Sequence, residues 1–334
     1  MVLKNENEIM NILKGIAIIL MVMGHAESPF NNYLYLFHLA AFIFVSGYFY
    51  NERYDEDFIH LLKNRLKSLY LPYVKYIIIF TVLNNLLFNL NLVGNSIQFD
   101  KDNIIRIVKG IITFNSPVDT LGAFWFIKTL FLCNILFGLI SFIIKKVCKR
   151  NFEYYRALVI TIIFLLGNIV WISYGNMSMG NIIKVSMCIS IFYFGVIIKK
   201  NENKIIKNNF MWIISAILLY ISSQQGKIDI ANGVYTNAMF FLGNSIIGIY
   251  FLIILSEKII IVDKYKLMNY IGKNTLPILA AHWICFRLVD SLFKIQNPNI
   301  RWIFYTVFGV LIPLIIDRLI KKTKVRLNNF IKRR

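Results

Sequence analysis

Apolar residues along this chain come in long blocks set off by short polar stretches, without the one-face spacing of an amphipathic helix. Crossing a hydrocarbon core of roughly 30 Å takes about 20 helical residues. Ten blocks of that order can be marked, near 9–26, 34–50, 70–93, 121–144, 157–174, 182–199, 209–223, 236–256, 274–292 and 301–320. The pattern predicts an all-α fold, a polytopic membrane helix bundle of about ten transmembrane helices in a single membrane domain spanning 1–334. One segment is different. In "DNIIRIVKGIITF", Ile104, Ile105, Val108, Ile111 and Ile112 share a helical face, with Arg106, Lys109 and Thr113 elsewhere. That spacing suits a short helix on the membrane surface or one packed over the bundle as a lid.

Composition agrees with the pattern: 57% of the 334 residues are hydrophobic and mean hydropathy is +0.61, more apolar surface than one soluble core buries. The first block leads into "GHAESPF" and a second apolar block, so no cleavable signal peptide is expected and the first helix stays. The net charge of +20 raises nucleic acid as a partner, but the basic residues fall in alternate loops rather than in one stripe, and no nucleic-acid partner is expected. Loops 51–69, 145–156, 200–208 and 257–273 hold four, five, three and four Lys or Arg, and the tail after Ile320 holds seven. Loops 27–33, 175–181, 224–235 and 293–300 hold none, none, one and one, while the long loop 94–120 holds three. The positive-inside rule then makes both termini cytoplasmic, in agreement with an even helix number. Four scattered cysteines suggest neither a disulfide framework nor a metal pair.

Ionisable residues inside apolar blocks are the candidate chemistry, because a bilayer tolerates them poorly. Lys14 and His25 are eleven residues apart, almost three helical turns, which puts them on one face of the first helix about 16 Å apart along its axis. On its own His25 reads either as a hydrogen-bonded packing residue or as a reactive imidazole. His38 starts the second block and is a candidate partner for it, since a short loop makes the first two helices antiparallel neighbours. Ser46 and Gly47 form a small pair suited to close helix packing, and no Gly-x-Ser-x-Gly elbow supports Ser46 as a nucleophile. Arg65 and Lys67 flank the third block. Lys75, Lys128, Lys184, Arg287 and Asp290 lie deeper and imply an internal polar cavity, with Arg287 and Asp290 spaced to pair with each other. His282 falls close to mid-membrane.

The strings "NILKGIAIILMVMGHA", "FHLAAFIFVSGYFY", "RLKSLYLPY", "FWFIKTLF" and "NTLPILAAHW" together resemble the acyltransferase 3 family of integral membrane acyltransferases, and within it the fucose 4-O-acetylase-like branch. The resemblance implies about ten membrane helices and transfer of an acyl group, usually acetyl from acetyl-CoA, to a hydroxyl of a sugar or glycolipid at the cell envelope. It puts the family's basic residue and histidine of helix 1 on Lys14 and His25, its Phe-His motif on Phe37 and His38, and its Ser-Gly motif on Ser46 and Gly47. Two departures stand out: lysine replaces the commoner arginine at Lys14, losing the bidentate fork, and the two-arginine motif is reduced to Arg65 followed by Lys67.

Acetyl transfer to an alcohol needs a base, a donor for the thioester oxygen and a site for the CoA polyanion. The expected assignments are His25 as base or acyl carrier, His38 beside it, and Lys14, Arg65 and Lys67 for CoA. Ser46, Trp125, His282 and Arg287 are pocket candidates, Trp125 as a sugar-stacking ring or simply a bundle-core residue. The expected cofactor is acetyl-CoA as co-substrate, with no metal. Expected partners are a carbohydrate or glycolipid acceptor and the lipids of the plasma membrane. The competing reading is a transporter or flippase for a polar solute or lipid-linked sugar, for which inverted repeats and paired broken helices would speak.

Overall fold

The computed structural model describes residues 2–89, 104–148, 150–174, 180–201, 208–263 and 266–331, and these are almost wholly helical. Helix α1 (Val2–His25) runs through the middle of the bundle because both its faces are apolar. Met10, Leu13 and Ala17 join one hydrophobic core, whereas Ile18, Met21 and Val22 join another. The first core is built on α3 (His38–Tyr48), α7 (Trp125–Val147), α9 (Gly180–Lys200) and α11 (Ala238–Val262). The second is built on α5 (Leu71–Asn89), α13 (Thr275–Phe293) and α14 (Pro298–Ile331). The candidate site lies along the seam between them.

Small residues let the helices approach, as expected where lipid offers little hydrophobic drive for association. A methyl group on Gly47 of α3 would sit 1.9 Å from the Phe192 carbonyl oxygen of α9, and one on Gly195 would sit 2.2 Å from the Phe44 oxygen. Gly47 therefore acts in packing. Its neighbour Ser46 does too: it exchanges hydrogen bonds with Asn134 of α7, with Asn134 Nδ2 donating to Ser46 Oγ at 3.0 Å.

Among the described residues eight helices are long and apolar enough to cross a membrane, against the ten predicted. The difference lies in two elements. The predicted block 34–50 is interrupted at Leu36–Phe37 and divides into the short α2 (Asn31–Tyr35) and the eleven-residue α3. The block 209–223 forms α10 (Asn209–Gln225), seventeen residues long. The third block begins earlier than its hydropathy suggests: α4 (Phe58–Arg65) continues through a π-helical turn, Leu66–Tyr70, into α5. Positions 90–93 of that block and 94–103 of the following loop lie outside the described residues.

The amphipathic segment forms α6 (Ile104–Ile112). Ile104, Ile105, Val108 and Ile112 are exposed, while Tyr70 and Tyr73 hydroxyls donate to the Ile111 and Gly110 carbonyls at 3.1 and 3.0 Å. Helix α8 (Phe152–Tyr174) flanks α9. Between α10 and α11 a hairpin pairs β1 (Ile228–Asp229) with β2 (Val234–Tyr235), its turn made by Gly233 at φ 65°. A short α12 (Leu267–Lys273) lies against the first half of α1, where Gly15 and Gly272 bring the two backbones together.

Candidate active site

His25 is the last residue of α1, and the sequence after it closes the helix. Glu27 takes φ 57°, the chain reverses, and Asn31 Nδ2 donates to the Gly24 carbonyl at 2.9 Å, satisfying an acceptor that the helix end leaves open. Ser28 Oγ donates to Asn31 Oδ1 at 2.9 Å and holds that amide in place. The space beside Gly24 is filled by the Tyr35 ring, since a methyl there would sit 2.8 Å from Tyr35 Cε2. The polar residues of "GHAESPFNN" thus fix the terminus that carries the imidazole.

His38 lies at the break between α2 and α3. Its Nδ1–H donates to the Leu34 carbonyl at 2.7 Å, an acceptor it shares with the Phe37 N–H at the interruption, and Tyr35 packs edge-on against it at 5.1 Å between centroids. The ring in hydrogen-bond contact with His25 is instead His282 of α13: His25 Nδ1 and His282 Nε2 are 2.8 Å apart. Their centroids are 5.0 Å apart and the planes differ by 27°, so the nitrogens meet nearly end to end. His282 is fully buried. Its Nδ1 is 3.1 Å from the Ile278 carbonyl, and α14 closes on it at Gly309, where a methyl would sit 2.9 Å from both Phe286 and Val22. Trp283 stacks on His25 at 5.2 Å.

Around His25 opens a cavity of about 570 Å³. His38, Trp125 and Trp283 line it, Lys184 reaches it from α9, and Asp229 and Asn232 reach it from the hairpin. The Lys184 ammonium lies 5.0 Å over the Trp125 ring. Asp229 is engaged by Asn232, whose Nδ2 donates to Oδ2 at 2.7 Å. Glu27 pairs with Arg301 at 3.7 Å. A second, apolar cavity of about 180 Å³ shares Met21, Leu39, Phe126 and Leu279 with the first and extends to Ser68 and Thr275. Met21 is one turn before His25 on α1. A polar chamber and an apolar one therefore meet beside the imidazole.

Lys14, Arg65 and Lys67 line neither cavity. They do flank the apolar one. Ile18, one turn past Lys14, lines it; Ser68 follows Lys67; and Thr275 lies two residues past Lys273, a like-charged neighbour of Lys14. Arg65 faces the Tyr54 ring at 5.9 Å, and its Nε is buried without a hydrogen-bond partner among the described residues. Ser46 and Arg287 line neither cavity. The expected pairing of Arg287 with Asp290 does not form: Asp290 accepts the Tyr305 hydroxyl, and no ion pair between Arg287 and Asp290 occurs among the described residues.

Sequence reasoning did not single out Trp283, Lys273 or the hairpin residues Asp229 and Asn232. For the hairpin a signal existed: Asn232-Gly233 between two apolar runs is a turn sequence, and it closes the four-residue loop between Asp229 and Val234. For Trp283 it did not, because an aromatic beside His282 reads the same whether it faces lipid, core or cavity.

A multi-pass membrane helix bundle, with a buried imidazole pair opening on a two-part internal chamber, is the class that fold and site define. Residues 7–318 match the model of the acyltransferase 3 family, described as an acyltransferase domain, and the chain belongs to that family of membrane acyltransferases. No curated protein and no solved structure matches this chain.

Proposed function

We propose that the protein moves an acetyl group from cytoplasmic acetyl-CoA to a hydroxyl of a cell-envelope or exported polysaccharide sugar, in the plasma membrane, and that it belongs to the fucose 4-O-acetylase-like branch of its family. The observation that carries this reading is the place of His25, where the polar chamber adjoins the apolar one. The apolar chamber takes the pantetheine arm. Its Ser68 and Thr275 end is flanked by Lys14, Lys273, Arg65 and Lys67, cations suited to the CoA phosphates. The basic loops put that end toward the cytoplasm, and about 16 Å of helix between Lys14 and His25 is a span an extended arm can bridge. The polar chamber takes the acceptor, with Trp125 as a stacking surface and His38 as a wall.

In the reaction, His25 removes the acceptor's hydroxyl proton, the oxygen attacks the thioester carbon, the C–S bond breaks as the C–O bond forms, and the proton passes from His25 to the CoA thiolate. In the two-step form His25 first takes the acetyl group and then yields it to the acceptor; label left on the protein distinguishes the two. The transporter reading gains no support from an imidazole held at the end of a closed, capped helix. The test is sealed vesicles of known orientation given labelled acetyl-CoA on one face. Label should reach glycan when donor is supplied at the face bearing the termini; transfer only with donor at the other face contradicts the orientation, and none from either contradicts the function.

A further inference from the structure

The Ile278 carbonyl can only accept a hydrogen bond, so His282 Nδ1, 3.1 Å away, carries a hydrogen. Neither His25 nor His282 has a carboxylate within ion-pair distance among the described residues. Glu27 is drawn to Arg301 and Asp229 to Asn232, so both rings are counted as neutral imidazoles. A neutral imidazole has one N–H, which leaves His282 Nε2 as a bare acceptor. That nitrogen is 2.8 Å from His25 Nδ1, and a hydrogen bond between them requires His25 to donate. The single hydrogen of His25 is then on Nδ1 and its lone pair on Nε2.

We propose that His282 is a positioning residue: it holds His25 in the Nδ1–H form and leaves the Nε2 lone pair as the reactive atom. This rests on the acyl-transfer reading for its purpose, though the protonation pattern stands apart from it. His282 is suited to the task because it cannot move, being buried between α1 and α14 and tied to its own helix. When Nε2 takes the acceptor's proton, the Nδ1–H···Nε2 bond becomes charge-assisted and strengthens as positive charge develops on His25. A carboxylate does the corresponding work in serine hydrolases, where loss of the correct tautomer lowers kcat about 10⁴-fold. A neutral imidazole is a weaker acceptor, and about 10²-fold is expected here.

The test combines ring-nitrogen NMR with kinetics. Protein labelled with ¹⁵N in its histidine rings and held in lipid bilayers should show His25, assigned by the loss of its signals in His25→Asn, protonated at Nδ1 and bare at Nε2. His282→Phe should shift the His25 hydrogen toward Nε2 and lower kcat for CoA release about 10²-fold with KM for acetyl-CoA unchanged. His282→Gln, whose amide oxygen can accept in place of Nε2, should restore most of that loss and the parent protonation pattern. Parent protein with His25 protonated at Nε2 overturns the proposal, and so does His282→Phe with parent kcat. If the parent releases no CoA, the acyl-transfer reading fails, and the NMR pattern still decides the tautomer.

Discussion

Two buried polar clusters sit in this bundle, and they are built to opposite ends. Around Arg156, whose side chain is wholly buried, the terminal nitrogens and the acids they meet are engaged with each other, while Nε has no hydrogen-bond partner among the described residues. Its terminal nitrogens meet Asp55 at 3.4 Å and Glu153 at 2.6 Å, Lys200 bridges Glu153 and Glu52, and the Tyr50 hydroxyl donates to Asp55 at 2.8 Å. The rings of Phe137, Phe152 and Tyr193 wrap the guanidinium. Burial pushes the Asp55 carboxyl above its usual range, while Tyr50 and Arg156 draw it back. This cluster ties the segment after α3 to α8 and α9, and it lines neither of the cavities beside His25. Around His25 no carboxylate lies within ion-pair distance among the described residues and the bonding is incomplete: one nitrogen meets His282, and the ring lines the chamber. The Arg156 cluster pairs its charges with one another and lines neither chamber; the His25 ring lines one.

That contrast is broken most sharply at His25. His25→Ala should lower acyl transfer by about 10²–10⁴-fold, the range for a positioned general base, with insertion and thermal unfolding unchanged. Arg156→Met should do the reverse. Removing one partner of a buried pair leaves Asp55 uncompensated and should cost about 3–5 kcal/mol of stability, read as an earlier thermal unfolding, while kcat per folded molecule stays at the parent value. A loss of kcat with parent stability would erase the distinction between the clusters. Trp125→Ala should raise KM for the acceptor about fivefold, the loss of roughly 1 kcal/mol of aromatic contact, and leave KM for acetyl-CoA alone. Lys14→Ala should raise KM for acetyl-CoA by up to about fivefold, the upper end for a solvent-accessible ion pair, with weaker effect at high salt. Unchanged donor dependence would remove Lys14 from the CoA path.

Hydropathy made the membrane class and most of the helices legible, because a spanning helix must be apolar over its whole length. It misjudged the block 34–50, since the interruption at Leu36–Phe37 is apolar and is held by His38 bonding to Leu34, a contact with no hydropathy signature. It also placed Arg156 with the basic loop 145–156, as a topology signal, although the residue is buried. A charge count along the chain cannot tell a cation facing water from one facing two carboxylates. The site was half legible. The Lys14–His25 spacing follows from helix geometry, but a sequence separation of 257 between His25 and His282 lies outside any local pattern, and only the packing of α13 on α1 brings those rings together.

The most direct test of the account is single-turnover CoA release from labelled acetyl-CoA by purified protein in lipid, parent against His25→Ala, with bound acetyl-CoA measured for both. The account predicts that both bind the donor, and that only the parent releases CoA and passes label to glycan. Equal release from the two proteins would contradict it.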